Sequence, residues 1–252
     1  IMHEVGHTLG LRHNFRASTV YDLKQIQDPN FTKVNGTTAS VMDYNPYNIS
    51  AKGEKQGEYV MSTIGAYDYW AIEYGYKQFE PGQEAQGLKK ILSKADQREL
   101  QFDTDEDAGY GTMGGIDPLV NRFDLGSDPL GYYKLRMKLS RELWDRLQNM
   151  NLPTGESYER LTRSFRSGFS QLGRVAPLAA KYIGGVHVRR ERAGSGKPVF
   201  EPVSALKQRE ALSLINRDFF GTDSFKFKPE FIARLAPDRF ERSGPETNFQ
   251  MS

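Results

Sequence analysis

The chain has 252 residues, 38% of them hydrophobic and 12% aromatic, enough to bury the core of one large or two small domains. Thirty-four basic residues stand against 32 acidic ones, a net charge of +2, and a balance that even argues against a nucleic-acid partner. There is no cysteine, hence no disulfide framework, and no apolar run approaches the length that spans a bilayer.

The first predicted element is a helix carrying His3-Glu4-Val5-Gly6-His7, followed by Thr8-Leu9-Gly10-Leu11-Arg12-His13. Residues four apart share a helix face, so His3 and His7 address one point. Glu4 lies about 100° further round the helix, beside that point, where a carboxylate serves as a base toward water rather than as a ligand. In a continuing helix His13 would sit about 15 Å beyond His3 along the axis. Gly10 removes that obstacle, because glycine takes a positive φ, ends the helix and lets the chain turn back. Three neutral imidazoles with a fourth position open form a catalytic zinc arrangement; a structural site would close that position, often with cysteine. Zn2+ is therefore the expected cofactor, with His3, His7 and His13 as ligands and Glu4 as general base.

Residues 16–61 read as loop-rich, with Gly, Asn, Pro and Ser scattered through a span that can shape a substrate cleft. Within it, Ser40-Val41-Met42-Asp43-Tyr44 begins 27 residues after His13. Taken alone, Met42 reads as core filler. The motif H-E-x-x-H-x-x-G-x-x-H with this segment behind it resembles the metzincin clan of zinc peptidases, in which a tight turn carries a methionine beneath the metal. The resemblance implies that Met42 is that Met-turn methionine. It also implies, as in the astacin and serralysin branches, that Tyr44 faces the zinc, its phenol ligating the resting metal or hydrogen-bonding an oxyanion.

More specifically, the runs from His3 to Phe15, Ser40 to Ile49 and Tyr67 to Tyr76 are similar to large bacterial zinc-dependent metalloproteases of the Bacteroidetes type. Those proteins carry the motif in their C-terminal half, ahead of a helical region of unknown role. By that likeness the chain is the C-terminal part of a longer protein. The sheet whose edge strand aligns substrate would then lie upstream, and the location would be secreted, periplasmic or cell-surface.

Further along, Ile64, Tyr67, Ala71 and Tyr74 predict a helix stopped at Gly75, and Leu88, Ile91, Leu92 and Ala95 a short amphipathic one over 83–97. Residues 98–127 are Gly- and Asp-rich and read as a loop or linker. The acidic run Asp103-Thr104-Asp105-Glu106-Asp107 departs from the EF-hand pattern at both Ala108 and Gly114, so a solvated loop is expected rather than a calcium site. Asp128 and Pro129 read as N-cap and first helical residue, and Leu135, Leu139, Leu143 and Leu147 carry that helix to about Met150. A second long helix is expected over Thr154–Tyr182, with Tyr158, Leu161, Phe165, Phe169 and Leu172 on one face and Gly184-Gly185 behind it. Val186–Arg192 and Lys197–Val203 flank Ala193-Gly194-Ser195-Gly196 as a hairpin; its run Arg189-Arg190-Glu191-Arg192 reads as a charged edge. Ser204 caps a helix reaching Phe219, and Pro229 opens a last one. His187, in the hairpin, is expected to be a packing or surface residue.

The fold class expected is mainly α (α+β overall). Its parts are the C-terminal part of a metzincin catalytic domain (1–80), a loop-rich connection (81–127) and a mainly helical domain of unknown role (128–252). The resemblance implies a zinc-dependent endopeptidase acting on polypeptides by metal-activated water. A non-catalytic zinc-binding or scaffold module, and a zinc hydrolase of a non-peptide substrate, are the alternatives, since the motif fixes the activated water and not the bond it attacks.

Overall fold

The computed structural model describes residues 1–110 and 113–236; the last part of the expected helical domain, residues 237–252, lies outside the described residues. The chain is mainly α-helical with two small antiparallel ribbons. In order, the elements are α1 (Met2–Thr8), α2 (Leu23–Ile26), α3 (Pro29–Asn35), α4 (Ala66–Tyr76), α5 (Glu84–Leu92), α6 (Asp105–Ala108), β1 (Gly109–Tyr110), β2 (Met113–Gly114), α7 (Pro129–Gln148), α8 (Glu159–Ala180), β3 (Val186–Val188), β4 (Phe200–Pro202), α9 (Ala205–Phe219) and α10 (Pro229–Ile232).

Local chemistry accounts for most boundaries. Within the loop-rich stretch, Asp22 and Gln25 form a reciprocal capping box that starts α2, and Asp28 caps α3 ahead of Pro29. Ser204 accepts from the Lys207 amide to open α9, which runs to Phe219 as its cap and periodicity predict. The hairpin forms with Val186 opposite Pro202 and Val188 opposite Phe200. Other boundaries move. Helix α8 begins at Glu159 rather than Thr154, leaving Tyr158 exposed at its N-cap. Helix α5 ends at Leu92. Helix α4 starts after Ile64 and passes through Gly75 to Tyr76, and of its expected apolar stripe only Tyr67 is buried.

The long helices α7 and α8 pack on each other around Trp144. A Cβ added to Gly168 would overlap the Trp144 indole, so the glycine sets how closely the helices approach. The leucine stripe expected on α7 is not the core face. Of that stripe only Leu147 is buried, and Leu135, Leu139 and Leu143 are half-buried; Tyr133, Met137, Ser140 and Trp144 fill the core instead. Residues repeated every fourth position advance by about 40° per step around a helix of 3.6 residues per turn, so a long i,i+4 series walks off any fixed face. Leu161, Phe165, Leu172 and Val175 of α8, Leu214 of α9 and Phe231 of α10 complete this core, and Ile26 and Leu125 from the first half of the chain enter it too.

Candidate metal centre

The first helix ends because Gly10 adopts φ +84°, a conformation only glycine enters freely. The Gly10 amide then bonds to the His7 carbonyl and the Leu11 amide to that of Gly6. This turn brings His13 back beside α1. The imidazoles of His3, His7 and His13 converge, each offering one nitrogen, with those three atoms all within 4.8 Å of one another.

The opposite nitrogen of each ring is anchored. His3 Nδ1 lies 2.7 Å from the Val41 carbonyl oxygen, His7 Nδ1 2.9 Å from that of Leu11, and His13 Nδ1 2.8 Å from Asp105 Oδ2. Carbonyl oxygens only accept, so the His3 and His7 Nδ1 atoms carry the protons and their Nε2 atoms present lone pairs. Those two Nε2 atoms stand 3.1 Å apart; two acceptors that close repel unless a cation lies between them. His13 Nε2 is buried without a hydrogen-bond partner. Donor chemistry, tautomer and this orphaned atom all fit a zinc ion held by three Nε2 ligands, each oriented through its far nitrogen.

Two of the three anchoring oxygens, those of Val41 and Asp105, come from distant parts of the chain. Asp68 of α4 is buried and binds the Ser40 hydroxyl and the Val41 and Gly65 amides, at 2.6, 2.8 and 2.8 Å. Burial raises its carboxyl above the ordinary range in spite of these bonds. Asp68 thus fixes the turn that aims the Val41 carbonyl at His3. Met42 is fully buried there, and a Cβ on Gly6 would run into its sulfur, so α1 rests directly on that side chain. Asp105 lies in the acidic run expected to be a solvated loop, and neither that reading nor calcium binding describes it. Asp105 binds His13 and also Arg122, at 3.1 Å. Asp103 and Asp117 pair with the buried Arg16, Glu106 with Arg12, and Asp107 with Arg190. Burial pushes the Asp105 carboxyl up, but hydrogen bonds from His13 and Arg122 outweigh it and hold it below the usual range. The basic hairpin run therefore finds its acidic partners within the chain. His187 is half-buried, with its Nδ1 3.2 Å from Asp117.

The Tyr44 ring packs against His3 and His13, with centroids 5.3 and 4.5 Å away, and against Phe15 and Phe123. Glu4 is exposed on α1. His3, Glu4 and Tyr44 share one large cavity of about 1880 Å³. Its opposite wall is formed by α7 and α8, with the segment 45–61 between. Behind Tyr44, Asp43 and Asp124 are buried together. Burial and the neighbouring Asp124 charge push Asp43 up, and burial pushes Asp124 up to about 6 against a hydrogen bond from Asn121.

The histidines, Glu4, Gly10, Met42 and Tyr44, all marked by the sequence motif and the turn behind it, come together in this one region. Asp68, Asp105 and Arg16 carry no such local signature. The Val41 and Leu11 anchors are backbone groups that no side-chain pattern announces. A family model described as Met-zincin matches residues 1–251. No curated protein and no solved structure matches the chain.

Proposed function

Because the chain belongs to the Met-zincin family, we propose that it is a zinc-dependent endopeptidase, with His3, His7 and His13 as ligands. The observation that carries this reading is the tautomer pattern. The far nitrogen of every imidazole faces an oxygen, which in neutral rings leaves the near nitrogens as lone pairs converging on one point. A zinc ion there would lower the pKa of a bound water to about 7 and polarise a carbonyl.

The chain's own groups do the rest. Glu4 takes a proton from the attacking water and returns it to the leaving amine. Its exposure on the cavity wall leaves its carboxylate free to do so. Tyr44, whose ring packs on His3 and His13, donates its phenolic proton toward a developing oxyanion. Met42 acts as the Met-turn residue, a buried floor on which α1 sits. In this reading residues 1–80 supply ligands and base, 81–127 orient the third ligand, and the described part of 128–252 is the helical unit facing the cavity. Action outside the cytosol (secreted, periplasmic or cell-surface) belongs to the same proposal and rests on the family likeness.

The test is zinc analysis with cleavage of an unfolded protein. One zinc per chain, cleavage, and loss of cleavage with zinc retained in Glu4→Gln are the expected results. Zinc without cleavage of any polypeptide would favour a scaffold module or a hydrolase of another bond.

A further inference from the structure

The cavity wall opposite the histidines carries cationic groups that the proposed chemistry does not use. Arg136 of α7 is 7% exposed, lines the cavity and has no carboxylate partner among the described residues. Its guanidinium meets the Gln171 side-chain oxygen and the Tyr132 ring, and its Nε is buried with no hydrogen-bond partner. A buried guanidinium keeps its charge, and leaving it unpaired is costly. Folding alone gives no reason to retain it where methionine or leucine would fill the same space.

Arg174, one turn beyond Gln171 on α8, also lines the cavity and has no acidic partner among the described residues. It lies over the Phe123 ring, 5.7 Å from the centroid. Phe123 holds φ +64°, an unfavourable conformation for a bulky residue. The hydrogen bond from its amide to the Tyr44 carbonyl, 2.9 Å, keeps it there, and its ring stacks on Tyr44, which stacks on His3. Three consecutive ring contacts thus connect a metal ligand to Arg174. The acidic lining residues Glu142 and Asp145 lie six and nine residues after Arg136 on α7, about 9 and 13 Å along its axis, with Glu142 bonded to the Lys52 amide. Both carboxylates thus lie apart from the two guanidiniums along the lining and pair with neither.

We propose that Arg136 and Arg174 form a carboxylate-binding subsite, so that the preferred polypeptide carries a negative charge close to the bond cleaved. Rigid guanidinium forks bind carboxylates in two-point contact, and Phe123 holds one of them toward the cavity. The inference rests on the endopeptidase reading for its substrate class, and the carboxylate is either an acidic side chain or a free C-terminus.

Binding and cleavage are measured separately on the full chain. Fluorescent peptides differing only as Glu or Gln, each with a free or amidated C-terminus, are titrated by anisotropy into metal-free protein and into zinc-loaded Glu4→Gln. The subsite predicts about tenfold or more tighter binding of the charged member of a pair. Preference for Glu identifies a side-chain subsite, and preference for the free acid a C-terminal one. The advantage should vanish in Arg174→Gln, which is a surface change, and in Arg136→Gln if circular dichroism shows it folded. Equal binding of charged and neutral peptides by the parent chain, or an advantage that survives Arg174→Gln, overturns the proposal. Quenched versions of the same peptides report hydrolysis by the zinc-loaded parent. Binding preference without hydrolysis would sink the endopeptidase reading and leave the subsite standing.

Discussion

Replacing Asp105 separates the orientation of a ligand from its identity. His3 and His7 are oriented by backbone carbonyls, which no substitution removes, whereas His13 is oriented by one side chain, 2.8 Å away and half-buried. Loss of such a partner lowers metal affinity by about 10- to 100-fold, or about 1.4 to 2.8 kcal/mol. The two carboxylate oxygens serve different neighbours, Oδ2 facing His13 and Oδ1 facing Arg122. An asparagine can offer oxygen to only one of them and must turn its amide protons on the other, so Asp105→Asn should fall near the lower figure. Asp105→Ala frees the His13 ring and leaves Arg122 without that carboxylate, and should approach the higher. The assay is zinc competition against a chromophoric chelator at neutral pH, with Glu106→Gln as control. Glu106 sits next in the chain, but among the described residues its side chain binds the exposed Arg12 and not His13, so its loss should leave affinity unchanged. Parental affinity in Asp105→Ala would refute the argument that His13 is held from outside the ligand set.

Other consequences follow from the surrounding structure. Arg16 joins Asp103, Asp117 and the Val188 carbonyl in a buried site. Arg16→Met removes the guanidinium that two buried carboxylates share and should cost about 3 kcal/mol in urea unfolding; a loss within the scatter of surface mutants would contradict the network. Asp124, with its pKa raised to about 6, holds its proton longer in the folded than in the unfolded chain. Its contribution to stability is therefore full below pH ~4 and falls by about 3 kcal/mol as pH rises past 6. Metal-free Asp124→Asn should lose less stability than the parent between pH 5 and pH 8, and parallel profiles would count against the assignment. Asp117 has the opposite sign. Burial opposes its charge, but His187, Arg16 and two amides win and hold it at about 2, so what it contributes is lost only as pH falls from ~4 toward 2. In Gly6→Ala the helix gains about 1 kcal/mol of propensity, but overpacking against Met42 should cost about 1 to 3 kcal/mol. A cycle with Met42→Ala should show coupling between the two sites, and additive changes would mean that they do not touch.

The parts of the site legible in the sequence are those whose geometry is set within a dozen residues. One helical turn aligns His3 with His7, and one glycine returns His13. The capping of α9 by Ser204 belongs to the same class. What stayed hidden is fixed by pairs far apart in the chain. Asp105 is 92 residues from His13, and in isolation an acidic run reads as solvated whether or not cations await it. Asp68 sits in a helix whose aromatic spacing drew attention to the wrong residues, because that helix buries a carboxylate to hold a turn, while Tyr74 stays exposed. The leucines of α7 mislead for a related reason. A regular repeat is visible in one dimension, but the packed face is decided by where α8 lies.

The placement of the anchoring groups also bears on when metal is captured. All three proposed ligands occur within eleven consecutive residues, so a flexible segment can gather them around an ion before much else has folded. The Val41 and Asp105 anchors arrive only when α4 and α6 have docked, and until then the His3 and His13 rings remain free to rotate. Ion capture should accordingly be early and reversible, with slow exchange appearing only on completion of the tertiary fold. In a refolding experiment the off-rate of zinc would thus report the last packing steps, while its on-rate would scarcely sense them.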